Sequence, residues 1–230
     1  MSTTFTAFCT KVQTMCNDNS ANMLAKIVEW ANEFHAKICN RRNWRWLDLV
    51  SDAITIKTAN YPFAYETSLL VSTALTPAKK ILDVVDMSYT PNQSLLSSTS
   101  EQIRASFQNY PTYTGIPDYW YIEAGKLKLF PNVDATGRSY TIRFRAKHVV
   151  YPSASANPLL IPDDEGVPVL LHAVMSQVWM FLDDSRATSE YKLYESGLQD
   201  MEDNDPTEPI IYDRDPVRFV TKLPDLSLDS

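Results

Sequence analysis

Residues 119–130, Tyr119-Trp120-Tyr121-Ile122-Glu123-Ala124-Gly125-Lys126-Leu127-Lys128-Leu129-Phe130, decide the class of the fold. Apolar and basic residues alternate through Leu127–Phe130, the period of a strand with one buried face. The stretch predicts two short strands bent around Ala124-Gly125-Lys126. A third strand is expected at Tyr140–Lys147, after the turn-rich Asn132–Ser139. There Tyr140, Ile142 and Phe144 fall on one face, and Thr141, Arg143 and Arg145 on the other. Lys126, Lys128, Arg143, Arg145 and Lys147 read as a solvated strand face or, more sharply, as a basic face that meets an acidic neighbour.

Outward from this sheet the period changes to that of helices. Downstream, Leu159-Leu160-Ile161-Pro162-Asp163-Asp164 opens a long apolar helix running from Asp164 to about Asp183. Val167, Leu170, Leu171, Val174, Val178 and Phe181 form its expected buried face, and Asp163, Asp164 and Glu165 sit at its positive end. A second helix, Ala187–Met201, carries Tyr191, Tyr194, Leu198 and Met201. Upstream, residues 3–17 space Phe5, Phe8, Val12 and Met15 as one helical face. Asn17-Asp18-Asn19-Ser20 breaks that helix and caps the next, Ala21 to about Asn40, striped by Leu24, Ile27, Ala31, Phe34 and Ile38. Between the helix pairs, Ile54–Thr58, Leu69–Leu75 and Ile81–Met87 read as strands. Ser98-Thr99-Ser100-Glu101 is a capping-box pattern that predicts a short helix over Thr99–Gln108.

The expected class is α+β, mainly α: a helical bundle with an inserted antiparallel β region at about residues 53–147. Its helices lie at about 3–17, 21–40, 164–183 and 187–201, in one domain over residues 1–203. From residue 204 the character changes. Pro206, Pro209, Pro216 and Pro224 cannot continue a helix. Yet Ile210, Ile211, Tyr212, Val217, Phe219 and Val220 are too apolar for a simple disordered tail. Residues 204–230 therefore read as an extended arm that buries these side chains on another surface.

Composition narrows the functional classes. No segment approaches the ~18 consecutive apolar residues of a membrane span, and the first residues lack a basic start followed by an apolar run. A soluble protein made in a cytoplasm is expected, with no membrane partner. Cys9, Cys16 and Cys39 are too few and too irregular for a disulfide framework, and His35, His148 and His172 are scattered. Free thiols and no metal or cofactor are expected. Residues 1–162 carry a net +4 and residues 163–230 a net −11, which sum to the −7 of the chain. Such asymmetry suits head-to-tail complementarity between copies or an acidic surface that repels nucleic acid.

Two chemical readings compete with a purely structural one. Glu123 and Asp134 are candidate carboxylates for a cell-wall glycoside hydrolase, which needs such groups about 5–9 Å apart in a cleft. Asp163, Asp164 and Glu165 also admit a paired-carboxylate catalytic reading beside that of a helix cap. Arg41, Arg42 and Arg45, interleaved with Trp44 and Trp46, are candidates for stacking nucleic-acid bases.

With those residues quoted, the chain resembles the phage head-to-tail connector proteins, called adaptors or podovirus tail accessory factors. The resemblance rests on the N-terminal helix hairpin, Trp44-Arg45-Trp46-Leu47, Tyr119–Ile122, Leu127–Pro131, Thr141–Arg145, Ile161–Asp164 and Tyr191–Tyr194. It implies no catalytic residue. It implies instead a virion protein at the head–tail junction that assembles as a ring, a dodecamer, beneath the portal protein. The ring would extend the DNA channel, conduct DNA during ejection without binding it specifically, and offer a platform to a nozzle or tail-tube protein. On this reading the arm residues Ile210, Ile211, Tyr212, Val217, Phe219 and Val220 contact the portal or a neighbouring subunit. Asp183, Asp184, Glu190 and Glu195 are candidates to face the channel.

Overall fold

The computed structural model describes residues 3–56, 69–71, 74–88, 92–107, 112–133 and 137–205. The chain begins with helices α1 (Phe5–Cys16) and α2 (Ala21–Arg41), followed by a short 3-10 turn at Arg45–Leu47. Strands β1 (Asp48–Val50), β2 (Ile54–Ile56), β3 (Leu69–Val71), β4 (Ala74–Thr76), β5 (Ala78–Asp86), β6 (Gln93–Ser94) and β7 (Leu96–Ser97) come next. Helix α3 (Ser100–Ser106) precedes β8 (Thr114–Gly115), β9 (Tyr119–Glu123), β10 (Lys126–Phe130), β11 (Asn132–Val133) and β12 (Arg138–Ala146). Helices α4 (Gly166–Phe181) and α5 (Arg186–Asn204) close the described chain.

Strand β12 organises the main sheet. It pairs antiparallel with β5 along one edge, and with β1 and β2 in succession along the other. Its alternation is as the sequence requires: Tyr140, Ile142 and Phe144 are fully buried. The break between β1 and β2 is bridged by Ser51, whose hydroxyl accepts the Ile142 N–H at 2.9 Å while its own N–H donates to the Ile142 carbonyl at 2.9 Å. One small polar residue thus keeps the ladder satisfied where the edge strand is interrupted.

The hairpin β9–β10 is buried on both faces. Ala124 and Gly125 have φ of 50° and 71°, the two left-handed residues of a tight hairpin turn. Trp120, Leu127 and Leu129 enter the main core. Tyr121 and Phe130 point the other way and form a satellite cluster with Ile103 of α3. That helix starts one residue later than the sequence pattern indicated. Thr99 and Gln102 form its capping box, rather than Ser98 and Glu101.

Helix α4 is the hub of the helical part, packing against α5, α2 and α1. It is apolar around nearly its whole circumference, as a central helix must be. Phe181, expected inside, is 49% exposed at the last residue of the helix, where the chain turns toward α5. Met15 and Tyr191 are likewise exposed, and Met23 takes the buried place expected of Leu24 in α2. Asp163, Asp164 and Glu165 precede the first turn of α4 and give it no side-chain cap. Asp163 instead accepts the Thr3 N–H at 2.8 Å, which lowers its pKa and ties the start of the chain to this corner.

Further corrections follow from local geometry. Leu69–Leu75 is two strands, β3 and β4, paired antiparallel, rather than one. Helix α5 runs Arg186–Asn204, longer at both ends than the expected Ala187–Met201. Side chains of strands and helices, Ile81, Leu129 and Phe144 with Ile27, Leu170 and Val174, share one core. The class is α+β, and a mixed fold describes it better than a mainly helical bundle with an insertion.

Tyr151 holds the two parts together. In the connection between β12 and α4, its ring stacks on Phe5 of α1 at a centroid distance of 4.9 Å. Its hydroxyl donates to the Pro158 carbonyl at 3.0 Å and accepts the Leu160 N–H at 3.1 Å. Asn32 of α2 meets both its N–H and its carbonyl, at 2.7 and 2.9 Å. Beneath it lies His35, fully buried, edge-on to the Tyr151 ring at 5.3 Å and 3.7 Å from the Cys39 sulfur. Burial, reinforced by the nearby His148, pushes the His35 pKa down to about 4, so the ring is neutral in the folded protein.

Two outcomes are expected. Tyr151→Phe keeps the stacking but strands the Leu160 N–H and the Pro158 carbonyl, and should cost about 1–3 kcal/mol in urea unfolding. Because His35 titrates near 6.5 when unfolded and about 4 when folded, its stability contribution is complete above pH 6.5 and lost as pH falls toward 4. The loss should approach ~3 kcal/mol. Urea midpoints at pH 7.5 and pH 4.5 should fall further apart in the wild type than in His35→Leu.

Candidate functional site

Exposed carboxylates, apolar residues and a groove gather on the α4–α5 hairpin. The turn between the helices is made by Asp183, at φ 54°, and by the Asp184 N–H donating to the Trp179 carbonyl at 2.8 Å. The Arg186 guanidinium bonds Asp184 at 2.8 Å and holds its carboxyl down at about 2. The same guanidinium covers the Trp179 ring at 3.5 Å. Met180, Phe181 and Leu182 are exposed here, with Lys26 over the Phe181 ring at 4.5 Å.

The four acidic candidates do not share one face. Asp183 and Asp184 lie in the turn, and Glu190 turns toward α4, 2.7 Å from Nδ1 of His172. Glu195 is exposed beside a shallow hollow formed with Arg41, Tyr191 and Tyr194. Asp184 and Glu190 are engaged within the chain, while Asp183 and Glu195 are presented to solvent.

A groove of about 280 Å³ runs between α4 and α5. Pro168, Val169, Leu193 and Met201 supply its apolar surface, with Glu165 and Asp200 at its rim. Gly197 sets its shape: a Cβ at that position would lie 2.7 Å from Val169 Cγ2. A mid-helix glycine costs roughly 0.5–1 kcal/mol relative to alanine, so its presence signals close packing. That was the clue in the sequence to a groove the linear reading missed. At the end of α5, Arg41 bonds Glu202 at 2.7 Å, and Arg42 donates to the Glu202 carbonyl at 2.8 Å. The end of α5 is thereby fixed against the end of α2.

The basic strand face finds its acidic neighbours within its own sheet. Asp48 of β1 lies opposite Arg145 of β12 and takes two of its N–H groups, at 2.8 and 3.3 Å. Asp48 also lies 3.9 Å from Arg143, which remains 57% exposed. Arg138 pairs with the fully buried Asp86 at 2.9 Å.

The residues of the competing readings are occupied structurally. Glu123 is held by Lys128 and by Arg104, the latter at 2.6 Å, and the Lys128 hydrogen bond chiefly lowers its pKa. A carboxylate so held is a poor proton donor. Its suggested mate, Asp134, lies outside the described residues, as do Ile210, Ile211, Tyr212, Val217, Phe219 and Val220. Trp44 is fully buried, donates to the Ile38 carbonyl at 2.6 Å and stacks on Trp46 at 5.7 Å. It offers no face to a base. Cys9 and Cys39 are buried, which pushes both thiols up to about 12.

A family model described as SU10 adaptor protein matches residues 3–216. No curated protein matches the chain.

Gly197→Ala should destabilise the hairpin by about 1–3 kcal/mol through overpacking, in excess of what alanine gains as a helix former. Adding Val169→Ala removes the clash, so the double variant should melt above the sum of the two single changes. Thermal unfolding of the four proteins in the cycle checks this.

Proposed function

This chain belongs to the SU10 adaptor protein family, a phage adaptor family, and from that premise we propose that it is a structural virion protein forming a ring between portal and tail. The ring, a dodecamer, docks on the portal protein, extends the DNA channel and gives the next tail protein its platform. The observation that carries this reading is the span of the match. It covers residues 3–216, so the folded body and the arm residues Ile210, Ile211 and Tyr212 fall within one family pattern.

In this proposal the body supplies the ring wall and the arm supplies the grip. Each arm side chain contributes up to ~1.5–3 kcal/mol if fully buried on the portal or a neighbouring subunit. Ordering the segment costs about 1–2 kcal/mol per residue, so one arm binds weakly and a ring of arms binds by avidity. The channel wall is given to the acidic α4–α5 region, with Asp183 and Glu195 facing passing DNA. Repulsion there acts over about 8–10 Å at physiological salt, enough to keep DNA from adhering to the wall. The hydrolase reading leans on Glu123, which is tied up in ion pairs, and the base-stacking reading leans on the buried Trp44. Both are weaker.

The full chain should sediment as a monomer at micromolar concentration and join a ring when portal is added. A chain ending at Asp205 should keep its circular dichroism, because α5 ends at Asn204, yet fail to co-sediment with portal. A stable ring without portal, or normal docking of the shortened chain, would contradict the proposal.

A further inference from the structure

The outward face of the main sheet spends only part of its charge within the chain. Asp48 bonds Arg145, and Asp83 accepts the Val84 N–H and the Ser94 hydroxyl at 2.8 and 3.2 Å. Arg143, opposite Val50 of β1, stays exposed, and so does Lys80, opposite Arg145 on β5. Val50 itself is 54% exposed, and Met87 is exposed on the same face, 3.6 Å through its sulfur from the Thr141 hydroxyl. Exposed cations thus stand among exposed apolar side chains.

The α4–α5 groove has the complementary chemistry. Its floor is apolar, and Leu193 stands 50% exposed on its wall. Among the described residues that line it, the carboxylates are Glu165 and Asp200, both exposed, and neither Lys nor Arg is present. Glu190 adds a carboxylate behind His172. Each surface carries exposed charge of one sign around an exposed apolar residue, and the signs are opposite. Two different, complementary surfaces on one chain make a heterologous contact, which repeats from copy to copy and closes into a ring where the rotation allows.

We infer that the α4–α5 groove of one copy receives the outward sheet face of the next. Val50 packs on Leu193, Arg143 meets Asp200 and Lys80 meets Glu165. The inference rests on the ring reading above and names the two surfaces through which neighbouring copies touch. A groove of about 280 Å³ admits a few side chains, whereas stable complexes bury roughly 1,200–2,000 Å². The contact is accordingly weak between free copies and holds once the portal aligns them. Opposite charge also orders the copies, because head-to-head pairing would set Arg143 against Arg143.

Cysteine pairing on the full chain tests this. Val50→Cys and Leu193→Cys chains, mixed at high concentration and low salt under a mild oxidant, should form disulfide-linked dimers at least about tenfold faster than either chain alone. Cys9 and Cys39 are buried, and the wild type gives the background from Cys16. Adding Asp200→Lys to the Leu193→Cys chain should slow the mixed dimer about tenfold, and adding Arg143→Glu to the Val50→Cys chain should restore it. A misfolded chain is not rescued by a change in its partner, so restoration separates contact from loss of fold. Equal dimer formation by either chain alone, or slowing that Arg143→Glu does not restore, overturns the inference. Portal separates the two proposals. A ring on portal whose cysteines do not link refutes this contact and keeps the ring. Copies that link yet form no ring on portal keep the contact and refute the ring.

Discussion

Everything else in this protein depends on how the segment between β12 and α4 is pinned. The sheet precedes that segment and the α4–α5 hairpin follows it, so its path sets one against the other. Tyr151 fixes it by stacking on Phe5, bonding the loop ahead of it through its hydroxyl, and exchanging two backbone bonds with Asn32. These contacts reach α1, α2 and the approach to α4 from one residue. Buried groups so placed are costly to leave unpaired, and here each is satisfied. His35 beneath them is buried without charge, which makes this junction sensitive to acid.

A junction fixed in this way leaves both ends of the molecule available for contacts. On the helical side, Gly197 lets α5 approach Val169, and the groove beside that crossing is a consequence of the approach. On the sheet side, Arg145 and Asp48 bond across adjacent strands where little solvent reaches them, while Arg143 is left half-exposed. The charge separation along the sequence therefore does not translate into one basic and one acidic surface. Much of the basic strand charge is spent inside the sheet, and the acidic excess remains on the residues that open α4, the α4–α5 turn, α5 and the sequence after it. This arrangement suits an adaptor, which must present stable faces to its neighbours.

The outward alternation of β12, the hairpin at Ala124-Gly125, the cap at Ser20 and the existence and order of the four long helices were all determined by the sequence itself, whereas their ends shifted by up to three residues. These follow from local rules: side-chain period, turn stereochemistry and capping act within a few residues. The family resemblance was legible for the same reason, since it is carried by the order of such elements. What only the tertiary structure decided was which residues meet. Whether Phe181 is inside depends on where α4 ends relative to α2, and whether Arg145 is solvated depends on Asp48, far away in sequence and adjacent in the sheet. Glu123 became a structural anion through Arg104 and Lys128. The groove exists because two helices cross at a glycine, and a single chain position cannot announce the partner it will meet. Local propensities fix the elements, whereas long-range packing fixes the surfaces, and the function proposed for this protein resides in its surfaces.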